Sequence, residues 1–150
     1  MSRISSFLWF TDQAEEAAGY YVSLVPGSKV GEVTRGPDGK VLFVTFELDG
    51  QRFVALNGGP QFPPTEAFSI FVTCDSQAEV DERWNTLTAE GEEGQCGWLK
   101  DRYGVSWQIV PRRQLELLND PDPERARRAM DAMLGMRKLD VAALEAAARG

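Results

Sequence analysis

Residues 95–111 read QCGWLKDRYGVSWQIVP, and they stand in a 150-residue chain that contains no histidine. Two short runs, 98–101 and 105–110, read as strands joined by the Arg102-Tyr103-Gly104 turn. Side chains alternate across a strand, so Val105, Trp107 and Ile109 share one face and Ser106, Gln108 and Val110 the other. The first face is apolar, as expected beneath helices. The second mixes apolar and neutral polar groups and carries no Lys, Glu or Asp.

Upstream, 67–74 reads as a strand with Ile70, Val72 and Cys74 on one face and Ser69, Phe71 and Thr73 on the other. Ser76 with Glu79 forms a capping box. Val80, Trp84 and Leu87 give the helix that follows an apolar stripe, and Gly91, Gly94 and Gly97 punctuate the next stretch.

The same plan precedes it. Residues 2–10 read as a strand, with Ser5, Phe7 and Trp9 opposite Ser6, Leu8 and Phe10. Asp12 with Glu15 is set to cap a helix bearing Ala14, Ala17, Ala18, Tyr21 and Leu24/Val25. Strands at 29–35, 40–48 and 51–57 follow, joined by the Gly36-Pro37-Asp38-Gly39 turn and the Asp49-Gly50 hairpin. Phe53, Ala55 and Asn57 share a face of the last one. Gly58-Gly59-Pro60, Pro63 and Pro64 mark a connector. Two such units make a pseudo-symmetric domain rather than a solenoid.

After Pro111 the pattern turns helical. Asp122-Pro123 is a cap with a first-turn proline. Ala126, Ala129, Met130, Met133 and Leu134 form one stripe, and Asp140 caps a last helix with Val141, Leu144 and Ala148. The stripe is buried either on its own domain or on a second subunit.

Composition narrows the function. The formal net charge is −7, which repels a phosphate backbone and gives no attraction to anionic lipid, so neither nucleic acid nor membrane is expected as a partner. No apolar run approaches the length of a membrane span, and MSRISSFLWF lacks a signal peptide's apolar core. The expected location is the cytoplasm. Cys74 and Cys96 have neither metal-type nor CxxC spacing and read as reduced thiols, Cys96 being the more reachable. Without histidine no Ser/His/Asp or Cys/His arrangement exists. Among the acids, Asp12 and Asp75 read as helix caps, Glu92-Glu93 as solvated loop charge, and Asp101 as one half of a surface or turn ion pair with Lys100 or Arg102.

FLWFTDQAEEAAGYYVSLVPGSKV at 7–30, FVALNGGPQF at 53–62, FSIFVTCDSQAEVDERW at 68–84, the opening run and AMLGMRKLDVAALEAA at 132–147 together resemble the vicinal oxygen chelate superfamily. That group includes glyoxalase I, extradiol dioxygenases and bleomycin-resistance proteins. Within it the chain resembles the PhnB-like branch, which often carries the name 3-demethylubiquinone-9 3-methyltransferase. The resemblance implies an α+β fold of two βαβββ modules (about 1–59 and 65–112) forming a curved mixed sheet in a glyoxalase-like domain over 1–112. A helical extension over 113–150 would pack on the domain or on a dimer partner. It also implies a homodimer.

Metal-binding members of the superfamily place ligands on the first and last strand of each module. By this resemblance the positions fall on Ser5, Ala55, Ser69 and Gln108, with Asn57 the nearby polar group, and the strand period disfavours a slip of one residue. Hydroxyls and an amide bring no negative charge to offset the dehydration of a divalent ion. No metal and no cofactor are therefore expected. A Rossmann methyltransferase needs a Gly-rich loop leading into a helix, and prolines follow Gly58-Gly59 instead. The function expected is binding of a small, mostly neutral molecule in a metal-free cleft. Ser5, Asn57, Ser69 and Gln108 would supply hydrogen bonds, and Phe7, Trp9, Phe53 and Phe71 apolar contact. Alternatives are a metal-dependent isomerase, lyase or dioxygenase, methyl transfer, or a dimeric interaction module whose mixed sheet face is a seam.

Overall fold

β-Branched and aromatic runs broken by Gly and Pro turns give short strands, and each set of strands takes one helix onto its apolar face. The computed structural model describes residues 2–150. The chain divides into two compact units, Met1–Pro64 and Thr65–Gly150.

In the first unit the elements are β1 (Ser6–Phe10), α1 (Ala14–Leu24), β2 (Lys29–Arg35), β3 (Val41–Leu48) and β4 (Gln51–Asn57). The sheet order is β1-β4-β3-β2, with β1 parallel to β4 and the other pairs antiparallel. Four small or flat side chains of α1, Ala14, Ala17, Ala18 and Tyr21, are fully buried, and their size lets the helix lie close on the sheet. Leu8, Phe10, Val44, Phe46, Phe53 and Ala55 meet it from the strands. Phe46 stacks on Phe53 with ring centroids 5.1 Å apart. Burial of each such ring is worth roughly 2–3 kcal/mol. Asp49 and Gly50 both have positive φ, 48° and 85°, the type I′ turn that an Asp-Gly hairpin favours.

Asp12 does not cap α1. The N-cap is Gln13, with no side-chain bond of its own, and the helix's Ala14 N–H donates instead to Asn57 Oδ1 at the end of β4, 2.8 Å away.

The second unit contains β5 (Ser69–Cys74), α2 (Gln77–Thr88), β6 (Glu92–Glu93), β7 (Trp98–Lys100) and β8 (Ser106–Pro111). Its order, β5-β8-β7-β6 with β5 parallel to β8, repeats that of the first sheet. The fold is thus α+β, two four-stranded mixed sheets built on one plan, as expected. Val80, Trp84 and Leu87 of α2 are buried with Ile70, Cys74, Leu99, Trp107 and Ile109. Ser76 Oγ accepts from Glu79 N–H at 3.2 Å, and the Glu79 carboxylate accepts from Asp75 N–H at 3.0 Å. The cap is therefore Ser76, and the Asp75 side chain pairs with Arg112 at 2.9 Å.

Helices α3 (Arg112–Leu118), α4 (Pro123–Leu134) and α5 (Val141–Arg149) complete this unit. They form a small core of Leu117, Ala129, Leu144 and Ala148, with Met133 and Met136 packed against it. Met130 and Leu134, expected in the same stripe, face outward at 39% and 58% exposure. The expected caps Asp122 and Asp140 accept from Glu124 and Ala143 N–H groups. No helix among the described residues is long and apolar enough to cross a membrane.

Candidate functional site

Register alone sorts the second sheet into two faces. Ser69 lies beside Ser106, Ser106 beside Lys100, and Lys100 beside Glu92; in the next row Phe71, Gln108 and Trp98 are neighbours. These rows form the face that α2 does not cover. Gln108 Nε2 donates to Ser69 Oγ at 3.1 Å, so the two polar residues expected at the site from this module do meet. Phe71 stands beside them, 49% exposed.

At the β6–β7 end of this face lies a cavity of about 460 Å³. Trp98, Lys100 and Ser106 line it from the sheet, Gly94, Gln95 and Cys96 from the loop between β6 and β7, and Glu66 and Glu92 from its margin. Lys100 Nζ is 2.5 Å from Glu66 Oε1. The ammonium holds the Glu66 carboxyl below its usual range, and the carboxylate pushes Lys100 up. Ser106 is 1% exposed, and its Oγ has no hydrogen-bond partner. A buried hydroxyl without a partner costs about 1–3 kcal/mol.

The loop wall is strained and braced. Cys96 has a φ of 59°, a left-handed conformation that non-glycine residues occupy at a cost of roughly 1–3 kcal/mol. Two carbonyls of the C-terminal segment hold it in place: Cys96 N–H donates to Met136 O and Gly97 N–H to Arg137 O, each at 2.8 Å. That segment is in turn anchored to α2, where Gln77 bonds both Leu139 O (3.0 Å) and Val141 N–H (2.8 Å).

Two acids read as surface or loop charges have structural partners, although Glu93 also lines the cavity. Glu93 accepts from the Trp84 indole at 2.8 Å, so it steadies α2. Asp101 is only 3% exposed and accepts from Tyr103 N–H, Val105 N–H and the Trp107 indole at 2.8, 3.1 and 2.9 Å. It organises the β7–β8 turn from inside.

In the first unit the uncovered face holds Phe7 and Trp9 on β1, with Ser5 just before that strand. Ser5 is exposed at the edge of a small cavity of about 90 Å³. Phe7 is 57% exposed. Trp9 packs edge-on to Phe62 with centroids 4.9 Å apart and donates to Gly59 O at 2.9 Å. Phe53, Ala55 and Asn57 lie on the opposite, helix-covered face: Phe53 is 5% and Ala55 0% exposed. The Asn57 amide is occupied by Ala14 N–H and Val41 O. Phe53 is thus a core residue and Asn57 a helix tie. β1 pairs Phe7 with Val54 as β5 pairs Phe71 with Gln108, so the counterpart of Gln108 is Val54, one residue from Ala55. A slip of one in a strand reverses every side chain.

By strand register, the positions that the superfamily resemblance implied would therefore be Ser5, Val54, Ser69 and Gln108. Two hydroxyls, an aliphatic group and an amide do not fit a divalent ion. Among the described residues no group of three or more Cys, Asp or Glu is placed to hold one. A nucleotide-type methyl donor fits no better. Gly58 and Gly59 donate to Phe10 O and Thr11 O, the Trp9 ring fills the space where a Gly58 side chain would sit, and the next element is a strand.

The sequence expectation missed Trp98, Lys100 and Cys96 as cavity residues. The alternation of 98–100 shows that Trp98 and Lys100 share a face, but not that the glycine-rich loop beside them closes a cavity.

Comparison with known proteins gives the family and the fold. The sequence model for 3-demethylubiquinone-9 3-methyltransferase matches residues 2–110. The tail segment at 132–147, read as part of the resemblance, lies outside that match. The PhnB protein from Bacillus cereus is 33% identical over 73% of this chain and 99% of that chain, with a TM-score of 0.68. Two more distant structures share the fold. PA1353 from Pseudomonas aeruginosa is 19% identical over 74% of this chain and 98% of its own, TM-score 0.61. The fosfomycin resistance protein FosX from Listeria monocytogenes, solved with Mn(II) and sulfate, is 15% identical over 74% of this chain and 90% of its own, TM-score 0.52. No curated protein matches. The chain belongs to the 3-demethylubiquinone-9 3-methyltransferase-like (PhnB) family and carries the glyoxalase-like fold of the vicinal oxygen chelate superfamily.

Proposed function

We propose that this protein binds a small, mostly neutral molecule without a metal ion, in the cavity on the uncovered face of the second sheet. The observation that carries this reading is Ser106: a hydroxyl lining a cavity yet lacking any protein partner. Trp98 supplies apolar contact, while Ser69, Phe71 and Gln108 extend the same face beyond the cavity. The donor set at the superfamily's metal positions supports the metal-free half of the reading.

The working form is a cytoplasmic homodimer. Phe7 and Phe71 occupy equivalent places on the two uncovered faces and are each about half exposed, an apolar cost that a second subunit or a ligand relieves.

Native mass spectrometry of the protein, purified without added metal or chelator, tests both halves. The expected spectrum is a dimer with no divalent ion, with an organic adduct whenever ligand is retained. One divalent ion per subunit would overturn the metal-free reading and put a metal-dependent enzyme in its place. A metal-free monomer would overturn the dimer.

A further inference from the structure

We infer that the ligand of this cavity is an organic cation: an aromatic or apolar body on Trp98 with one ammonium-type charge at the acidic mouth. The inference rests on the binding reading above and departs from it in one respect: the otherwise neutral molecule carries a single positive group.

The cavity's charges are three glutamates, Glu66, Glu92 and Glu93, against one lysine, Lys100. Two of the three carboxylates already have cations. Glu66 holds Lys100, and Glu93 faces Arg137 at 3.7 Å while accepting from Trp84. Glu92 pairs across the strands with Lys100, which Glu66 already engages. One negative charge therefore remains at the mouth. Trp98 lines the same cavity, and an indole is the aromatic side chain that attracts cations most strongly. The buried, partnerless Ser106 hydroxyl is a second and independent sign that something is bound here. Its oxygen accepts from an ammonium or its proton goes to a neutral polar group. An anion would meet the glutamates first.

The test uses three soluble probes of similar size: benzylamine (cationic at neutral pH), benzyl alcohol and benzoate. Binding is read from the Trp98 indole and the Gly94 and Cys96 amide signals in NMR titrations of the full chain. Benzylamine is expected to bind more tightly than the other two and to weaken as salt is added. Glu92→Gln is expected to lower its affinity about 2–5-fold, the usual range for one exposed charge. Glu124→Gln, which makes the same change in net charge on α4 outside the cavity, is expected to leave it unchanged.

Benzyl alcohol or benzoate binding as tightly as benzylamine would overturn the cationic class and leave the cavity reading standing. Equal losses from Glu92→Gln and Glu124→Gln would overturn the local role of Glu92. No shift with any probe would overturn class and cavity together.

Discussion

Asp101 and Ser106 sit five residues apart and show opposite ways of burying oxygen. Asp101 is saturated by two backbone N–H groups and the Trp107 indole. Asp101→Asn keeps the shape but points an amide N–H₂ at one of these donors. It is expected to cost about 2–4 kcal/mol in urea unfolding, since a buried donor loses its charged acceptor. Ser106 is the reverse case, a hydroxyl with no partner. Ser106→Ala is expected to raise stability by roughly 1 kcal/mol while weakening ligand binding. A loss of stability in the same melt would show that the hydroxyl serves the fold rather than the site. Neither role was legible in sequence. Asp101 lies between Lys100 and Arg102, which suggests a surface ion pair, whereas its partners are backbone groups that only the folded turn brings to it.

At the scale of elements, alternation and turn chemistry carried most of the fold. β2 and β4 fall where the pattern puts them, at Lys29–Arg35 and Gln51–Asn57, because each is bounded by a Gly or Pro turn. β6 escaped because Glu92–Glu93 is two residues long and has no apolar alternation. The face of β4 was misjudged because Asn57 is polar, and its polarity serves the start of α1 rather than a ligand. The Cys96–Gly97 wall is the element most exposed to a single change. A Cβ at Gly97 (φ 85°) would lie 2.9 Å from Ile109 O and 2.8 Å from Leu139 Cδ1. Gly97→Ala is expected to cost on the order of 2 kcal/mol or more and to speed hydrogen exchange at Cys96. Gly39→Ala has similar φ and no atom within 4 Å, so it is expected to cost only about 1 kcal/mol. Equal costs for the two variants would mean that the fit against the C-terminal segment is slack.

For the whole molecule, Cys74 is the buried group that ties stability to alkaline pH, with the exposed Lys100–Glu66 pair acting in the same direction. Burial pushes its thiol from 9.0 up to about 11. The folded protein therefore keeps a proton that the unfolded chain loses, and stability falls as pH rises from 9.0 toward 11. Thermal melts across that window are expected to move steadily downward, and the Cys74→Ala protein is expected to show a flatter profile. A parallel profile in the variant would assign the alkaline loss to other groups.

The family match ends at residue 110, yet Met136 and Arg137 fasten the loop that closes the cavity. A fragment trimmed to residues 2–110 would lack the two carbonyls that hold this loop. One wall of the cavity is thus fixed by a tail that the common core does not contain.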